Sequence, residues 1–322
     1  MKIDFIDTMN KYGRANLPFL FIINFDFSDA YIQKLSDIDS NEISYKINSL
    51  SNFKNEDIPS KDYTIKKFPE SIYEYKSKFD KVRQHLFYGN SYLTNLTCKT
   101  RIEINLSLKE IFRIANATYK LFFKDKFVCF SPECFIKVID NKVFTYPMKG
   151  TISAAVPNAL NVILNDEKEL QEHNTIVDLL RNDLSIVSEN VKVTKFRFPS
   201  YIKTKDKELI QISSEICGEL PQNWNNNIGD LLAAILPAGS VSGAPKKRTV
   251  EIIKSCEDYE RGYYTGVFGI FDGKNLDSAV SIRFIEMENG ILYYKSGGGI
   301  TINSDLNSEY NEMTDKIYVP VN

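Results

Sequence analysis

Two periodicities divide this chain into its elements. Residues 17–27, Leu-Pro-Phe-Leu-Phe-Ile-Ile-Asn-Phe-Asp-Phe, are almost continuously apolar and predict a buried strand. Residues 28–69 are polar, with scattered Asn, Ser and Lys, and predict irregular excursions over the surface. From Pro69 to Tyr88, Ile72, Tyr75, Phe79, Val82 and Leu86 recur at helical spacing. Gly89-Asn90 then turns the chain into an alternating strand, Ser91 to Thr97, and Leu108 to Tyr119 reads as a second amphipathic helix. Strands are expected at 127–130 and 135–139, with a hairpin turn at Asn141-Lys142 leading into 143–146. A mobile connector is expected after Thr151, then short strands at 191–197, 200–204 and 208–213. Helices are expected at 227–235 and from Ala244 to Cys256, with glycine-rich and strand segments filling the rest of 236–303. This unsegregated order of helices and strands, with several hairpins, predicts an α+β fold of mainly antiparallel sheets.

One helix carries an anomaly. On a wheel of about 100° per residue, the segment from Asp166 to Asp183 places Ile176, Val177, Leu180 and the following Leu184 on one stripe. Gln171, Asn174, Asp178, Arg181 and Asn182 fill the opposite arc, yet Glu169 and Glu172 fall inside the apolar stripe. A carboxylate facing a core is costly unless paired, hydrogen-bonded or bound to a cation. On this helix alone, acidic residues leaning out to solvent at the positive end of the helix dipole are the readier explanation. The C-terminal helix, residues 306–317, repeats the spacing with Glu309 and Glu312 on the arc of Met313, Lys316 and Ile317. Two Glu-x-x-Glu pairs on the apolar sides of two helices point to four carboxylates meeting around a divalent cation. Oxygen-only ligands favour magnesium over zinc.

Composition narrows the class. The chain has 322 residues, 43% hydrophobic and 25% charged, with a net charge of −2. That is ordinary globular composition and argues against a protein held to nucleic acid by phosphate neutralisation. No run reaches the roughly 18 apolar residues of a membrane span, and the N-terminus lacks the apolar core of a signal peptide. The five cysteines are scattered and odd in number, which suits reduced residues of a cytoplasmic protein better than a disulfide framework. His85 and His173 are the two histidines, so a three-histidine metal site is excluded. His173, beside Glu172, suits either a supporting role at the site or a plain structural one.

Three further stretches carry chemistry. Pro237-Ala-Gly-Ser-Val-Ser-Gly-Ala-Pro245 leads into a helix whose start Ser242 or Gly243 can cap, with Pro245 in its first turn. Such a start suits an anion, though a plain tight turn fits as well. Gly297-Gly-Gly299 follows a strand, and consecutive glycines often mark close approach of a ligand to the backbone. Arg283 alternates with Ile282 and Phe284; it is either an ordinary surface arginine or, if it points into a cleft, suited to bidentate capture of a carboxylate. Lys149, between Pro147 and Gly150, would lose proton affinity if shielded from water and could then act as a nucleophile.

Taken in order, these segments resemble the chorismate-utilising enzymes, and among them most closely the large subunits of aminodeoxychorismate synthase. The resemblance rests on Gly89-Asn-Ser-Tyr-Leu-Thr-Asn-Leu-Thr97, Ser131-Pro-Glu133, Pro147-Met-Lys-Gly-Thr151, Glu172-His173 with Ile176-Val-Asp-Leu-Leu-Arg-Asn-Asp183, Gly239-Ser-Val-Ser-Gly-Ala-Pro-Lys246, Arg261-Gly-Tyr-Tyr-Thr-Gly266, Gly297-Gly-Gly299 and Glu309-Tyr-Asn-Glu312. It implies two facing, mainly antiparallel sheets with helices outside and a site between them. Residues 1–68 match poorly and are expected to join the same fold, with 69–322 forming the chorismate-binding catalytic region of one structural domain. The resemblance further implies magnesium held directly by Glu172 and Glu312, with Glu169 and Glu309 reaching it through water. Tyr264, Arg283, Lys316 and the amides around Gly297 and Gly299 would hold a substrate carboxylate, with Ser242 and Gly243 also lining the substrate site.

Lys149 discriminates between family members. Aminodeoxychorismate synthases share Pro-x-Lys-Gly-Thr, whereas anthranilate synthases usually have alanine at the lysine. The mechanism implied is attack of the lysine amine on C2 of chorismate with loss of the 4-hydroxyl. Ammonia then adds at C4 and expels the lysine, giving 4-amino-4-deoxychorismate for 4-aminobenzoate and folate synthesis. Members that use water as nucleophile carry a lysine where this chain has Leu93. The chain departs from the pattern at Gln211, where relatives commonly have a histidine three residues before the serine matching Ser214; an amide can hydrogen-bond substrate but cannot transfer its proton at neutral pH. Neither histidine has the setting of a glutaminase, so a glutamine amidotransferase subunit is expected to supply ammonia. The alternatives are anthranilate synthase component I and a catalytically inactive chorismate-binding regulatory protein.

Overall fold

The computed structural model describes residues 2–53, 63–203 and 208–321. Two nine-stranded antiparallel sheets face one another. The first comprises β1 (Phe19–Ile23), β2 (Ala30–Lys34), β9 (Cys134–Ile139), β10 (Lys142–Thr145), β11 (Met148–Ser153), β12 (Glu189–Lys203), β13 (Glu208–Glu219), β15 (Val267–Phe271) and β16 (Leu276–Val280). Its order is β11-β13-β10-β9-β16-β15-β1-β2, with β12 also paired to β13. The second contains β3 (Ile43–Ile47), β4 (Leu50–Ser51), β5 (Ile65–Phe68), β6 (Leu93–Ile104), β7 (Tyr119–Phe123), β8 (Phe127–Ser131), β14 (Gly243–Ala244), β17 (Phe284–Glu288) and β18 (Ile291–Ile300). Its order is β14-β6-β18-β17-β8-β7-β3-β4, with β5 on β6.

The helices α1 (Lys2–Arg14), α2 (Ile72–Phe87), α3 (Leu108–Ile114), α4 (Ala159–Asn165), α5 (Glu167–Ser185), α6 (Ile228–Ile235), α7 (Lys246–Cys256) and α8 (Leu306–Asp315) pack on the sheets. β1 shows why its sequence is apolar throughout. Phe19, Phe21 and Ile23 join a cluster with α5 and α6, while Leu20 and Ile22 meet Tyr45, Phe127 and Phe284 of the other sheet. A strand covered on both faces cannot alternate. A third cluster lies under α3, and a fourth joins Tyr75 and Phe79 of α2, Ile252 of α7 and Met313 of α8 to β6.

The polar stretch 28–69 contains β2 to β5 rather than irregular loops; its residues 54–62 lie outside the described ones. Ile43, Tyr45 and Ile47 are buried, and the polar residues between them had masked the alternation. The helix expected to reach Tyr119 stops at Ile114, because Ala115 is extended and the aromatic run 119–123 pairs into a sheet. The connector after Thr151 is not a mobile loop: β11 runs on to Ser153 and α4 follows. The strands expected at 191–197 and 200–204 are one, β12, interrupted by register shifts and described to Lys203. Its Pro199 is tolerated because β12 pairs only with β13, leaving an edge with no ladder bond to lose. The N-terminal helix α1 was not anticipated; Asn10 fixes it to α6 through Asp230 and the Gly229 amide.

No helix among the described residues is long and apolar enough to cross a membrane. All five cysteines are free.

Candidate active site

The wheel of α5 is realised. Ile176, Val177, Leu180 and Leu184 are buried, while Gln171, Asn174, Asp178, Arg181 and Asn182 are exposed. Asp166 caps the helix by accepting from the Glu169 amide. Glu169 and Glu172 are half-buried on the inner side, and Glu309 of α8 likewise. Glu312 is more open, its side chain 46% exposed.

β11 delivers Lys149 between the two helices. Its register against β13 shifts between Met148 and Thr151, and Gly150 sits there at φ 94°, a left-handed conformation that glycine adopts without strain. The bulge aims Lys149 at Glu172, with Nζ 2.7 Å from Oε2. At the end of α8, its C-cap Lys316 reaches Glu312 Oε1 at 2.6 Å and donates to the Gly297 carbonyl at 2.7 Å. Gly298 faces the same carboxylates: a Cβ there would lie 3.3 Å from Glu309 Oε2 and 3.4 Å from Glu312 Oε1.

The expectation that shielding lowers the Lys149 proton affinity is corrected. Burial does pull it down, but Glu172, with Glu312 and Glu169, outweighs burial and holds the amine above its ordinary range. Lys316 goes the other way, lowered by burial and by Arg283 and Lys149 despite Glu312. Burial raises Glu169 and Glu309, and the neighbouring glutamate of each pushes the same way. Glu312 is lowered, its burial outweighed by Lys316.

The two lysines stand where a cation would neutralise the acids. Among the described residues no group of three or more His, Cys, Asp or Glu side chains is close enough to share a metal ion. The donor set is nonetheless all carboxylate oxygen, and Glu169 Oε2 is buried without a hydrogen-bond partner. An unpartnered buried carboxylate oxygen is costly, and this donor set fits magnesium.

The second half of the site is built around Arg283. It does not lie in regular strand alternation: it precedes β17 at φ 54°. Its guanidinium lies 5.7 Å from the Tyr318 ring, and its Nε is buried with no partner. An orphaned guanidinium donor is what an incoming carboxylate would satisfy. Tyr264 is buried, its ring tilted against Phe284 at 5.8 Å.

Ser242 and Gly243 do not cap α7. The Ser242 hydroxyl donates back to the Ala238 carbonyl at 2.8 Å, Gly243 pairs with Thr94 of β6, and Pro245 itself occupies the position before Lys246. The turn is secured instead by Lys246, which bonds Asp183 of α5 at 2.8 Å and the Ile235 carbonyl at 2.6 Å. Gln211 is half-buried on β13, opposite Thr151 and Ser200.

Glu133 was quoted in a motif without a role, and the structure gives it one. It accepts from the Ser240 hydroxyl. Burial raises its carboxyl above the ordinary range although Ser240, Arg283 and Lys316 favour the charged form. A cavity of about 10 Å³, room for one water, lies against Glu133, Asp183 and Ser240. His173 was also undecided in sequence. It is fully buried, with Nε2 2.7 Å from Ser214 Oγ and Nδ1 3.2 Å from the Lys149 carbonyl. Burial lowers its proton affinity.

A larger cleft of about 590 Å³ opens elsewhere, between residues 24–28 and 253–262. Its buried charges, Glu257 and Arg261, are paired with each other at 2.6 Å.

Comparison with known proteins bears on the family and the fold. The family model for chorismate binding enzyme matches residues 22–322, beginning well inside the N-terminal segment. An uncharacterised PabA-like protein of Haemophilus influenzae is 50% identical over 317 residues, covering 98% of this chain and 96% of that one. Aminodeoxychorismate synthase component 1 of Bacillus subtilis is 30% identical over 254 residues, covering 74% of this chain and 53% of its own. The crystal structure of anthranilate synthase component I from Streptococcus pneumoniae superposes with a TM-score of 0.68 at 29% identity, over 81% of this chain and 60% of that one.

Proposed function

The chain belongs to the chorismate binding enzymes, and on that premise we propose that it is an aminodeoxychorismate synthase large subunit. It would convert chorismate and ammonia to 4-amino-4-deoxychorismate. The observation that carries this reading is Lys149, standing on the β11 bulge 2.7 Å from Glu172, where anthranilate synthases resembling this chain usually have alanine.

The residues divide the work. Arg283, Lys316 and Tyr264 would hold a substrate carboxylate, the first through its unpartnered buried Nε. Ser242 and Gly243 would shape the wall beside β6, and Gln211 would offer an amide from β13. Glu172 and Glu312, supported by Glu169 and Glu309, would hold magnesium, which supplies Lewis acidity toward the departing 4-hydroxyl. The Lys149 amine, once its ammonium proton has passed to water, would form a bond to C2 as the C4–O bond breaks, and would leave again as the amine when ammonia adds at C4. Glu133, whose carboxyl burial pushes above its ordinary range, would be the candidate to give that hydroxyl a proton.

Ammonia would come from a glutamine amidotransferase subunit. Among the described contacts His85 meets Asn90, and His173 meets Ser214 and Lys149, so neither histidine activates a cysteine. The name component 1 of the Bacillus subtilis relative points the same way. The rival activity, anthranilate formation, and a non-catalytic binding role are separated by one experiment. Purified protein is incubated with chorismate, magnesium and ammonium, and the product is weighed by mass spectrometry. Aminodeoxychorismate is expected; anthranilate or unchanged chorismate would reject the assignment.

A further inference from the structure

The bulge that aims Lys149 leaves a backbone group to be satisfied. β11 pairs with β13 at Met148↔Ser213 and again at Thr151↔Gln211, with the register shifting between them. A bulged residue loses its ladder partner, and a buried carbonyl without one is costly. The Lys149 carbonyl is met by a side chain from another element, His173 Nδ1 of α5 at 3.2 Å.

The imidazole is itself held from the far side. Its Nε2 lies 2.7 Å from Ser214 Oγ, and that oxygen accepts from the Arg197 amide at 3.0 Å. One hydrogen arrangement satisfies every member. A carbonyl can only accept, so the proton sits on Nδ1; Nε2 must then accept, so the Ser214 hydroxyl donates to it. His173 and Ser214 are both fully buried, so no water competes for the bond between them. Arg197 is fixed in turn: at φ 48°, it donates to the Leu164 carbonyl at 2.7 Å and the Ile163 carbonyl at 2.8 Å, the end of α4. The line therefore runs from α4 through Arg197, Ser214 and His173 to the backbone of Lys149.

We propose that His173 is a positioning residue: locked by Ser214, it pins the β11 bulge and so sets where the Lys149 amine stands. This rests on the reading that Lys149 acts on chorismate. A group held by a rigid, fully satisfied network keeps its attack geometry, and a displacement of about 1 Å can cost on the order of a hundredfold in rate.

Asparagine and glutamine separate positioning from simple filling of space. His173→Asn keeps a donor near the place of Nδ1 and loses the link to Ser214. His173→Gln keeps the reach of Nε2 and loses the link to Lys149. His173→Leu loses both. With chorismate saturating, kcat is expected to fall roughly tenfold to a hundredfold in the Gln and Leu variants at nearly constant KM, with Asn recovering most of it. Equal activities in all three would overturn the proposal. Ser214→Ala, which leaves the ring free to turn, provides a second arm should the His173 variants not fold; an unchanged kcat there overturns it as well. Labelling of Lys149 by an amine-reactive reagent, quantified by mass spectrometry against the other lysines, reads position without any turnover. A change of several-fold in His173→Leu, reversed in His173→Asn, is expected, and an unchanged Lys149 would refute positioning. A wild-type protein that makes another product would sink the proposed activity and leave the labelling result standing.

Discussion

The Lys149 ammonium and a Glu172 carboxylate oxygen stand 2.7 Å apart, so the residue proposed to attack substrate and one proposed to hold the metal are partners. Removing the lysine should therefore separate two effects. Lys149→Ala is expected to lose amination by several orders of magnitude while chorismate KM changes only a few-fold. Calorimetry should find its magnesium affinity equal to or above that of the wild type, because Glu172 loses its nearer cation and keeps only the exposed Lys168 at 3.8 Å. Near-normal product formation by this variant would remove Lys149 from the chemistry.

Loss of the carboxylates should be graded. Glu172→Gln and Glu312→Gln are expected to abolish magnesium-dependent turnover. Glu169→Gln and Glu309→Gln, in supporting positions, should weaken magnesium binding by about 10- to 100-fold. Magnesium titrations of activity and heat distinguish the two classes, and four indistinguishable variants would contradict the division.

Arg283 offers a buried Nε with no partner, and lysine cannot reproduce a planar bidentate donor. Arg283→Lys is expected to raise chorismate KM by roughly 10- to 100-fold, the equivalent of one or two charged hydrogen bonds. Because the residue sits at φ 54°, Arg283→Gly should melt at a higher temperature than Arg283→Ala. Steady-state kinetics and thermal unfolding check the two halves separately.

Glu133 gives a pH prediction for stability. Burial raises its carboxyl above the ordinary 4.5, so the folded state binds this proton more tightly than the unfolded state. The associated stability is fully present below about 4.5 and is lost as pH rises through the higher folded value. Glu133→Gln keeps a neutral side chain at every pH. Its melting temperature relative to wild type should therefore climb between pH 4.5 and 7, while its turnover falls. A constant difference across that range would show that Glu133 is not the group responsible.

Glu257 and Arg261 are each 2% exposed and bonded through both carboxylate oxygens. Arg261 also donates to the Val241 and Asn95 carbonyls. Arg261→Met should cost about 3–5 kcal/mol by leaving a buried carboxylate unpaired. Pairing it with Glu257→Leu should return much of that loss, as denaturant unfolding would show.

What sequence revealed depended on how local the signal was. The apolar stripe of α5 and its misplaced glutamates were legible, because one helix face is set by residues three and four apart. The strand at 43–47 was not, since Ser44 is buried inside the sheet and polar residues usually mark the outside. The end of α3 was missed because Ala115 is a good helix former, and pairing of 119–123 with two strands overrides local preference. Spacing offers Ser242 or Gly243 as a cap, while in the fold the Ser242 hydroxyl turns back to Ala238 and Gly243 pairs with Thr94. Glu133 and His173 could not be placed because their partners, Ser240, Ser214 and the Lys149 carbonyl, lie far away in the sequence or on the backbone.

Pairing of β1 with β15, Phe19 opposite Phe271, has a bearing on how the molecule is made. The early strands β1 and β2 join the first sheet only when β15, made late in translation, is there to pair with β1. Such distant closure slows folding and leaves bare strand edges waiting for their neighbours. During synthesis the nascent polypeptide would thus depend on shelter from aggregation until the ribosome has released the segment that completes the sheet.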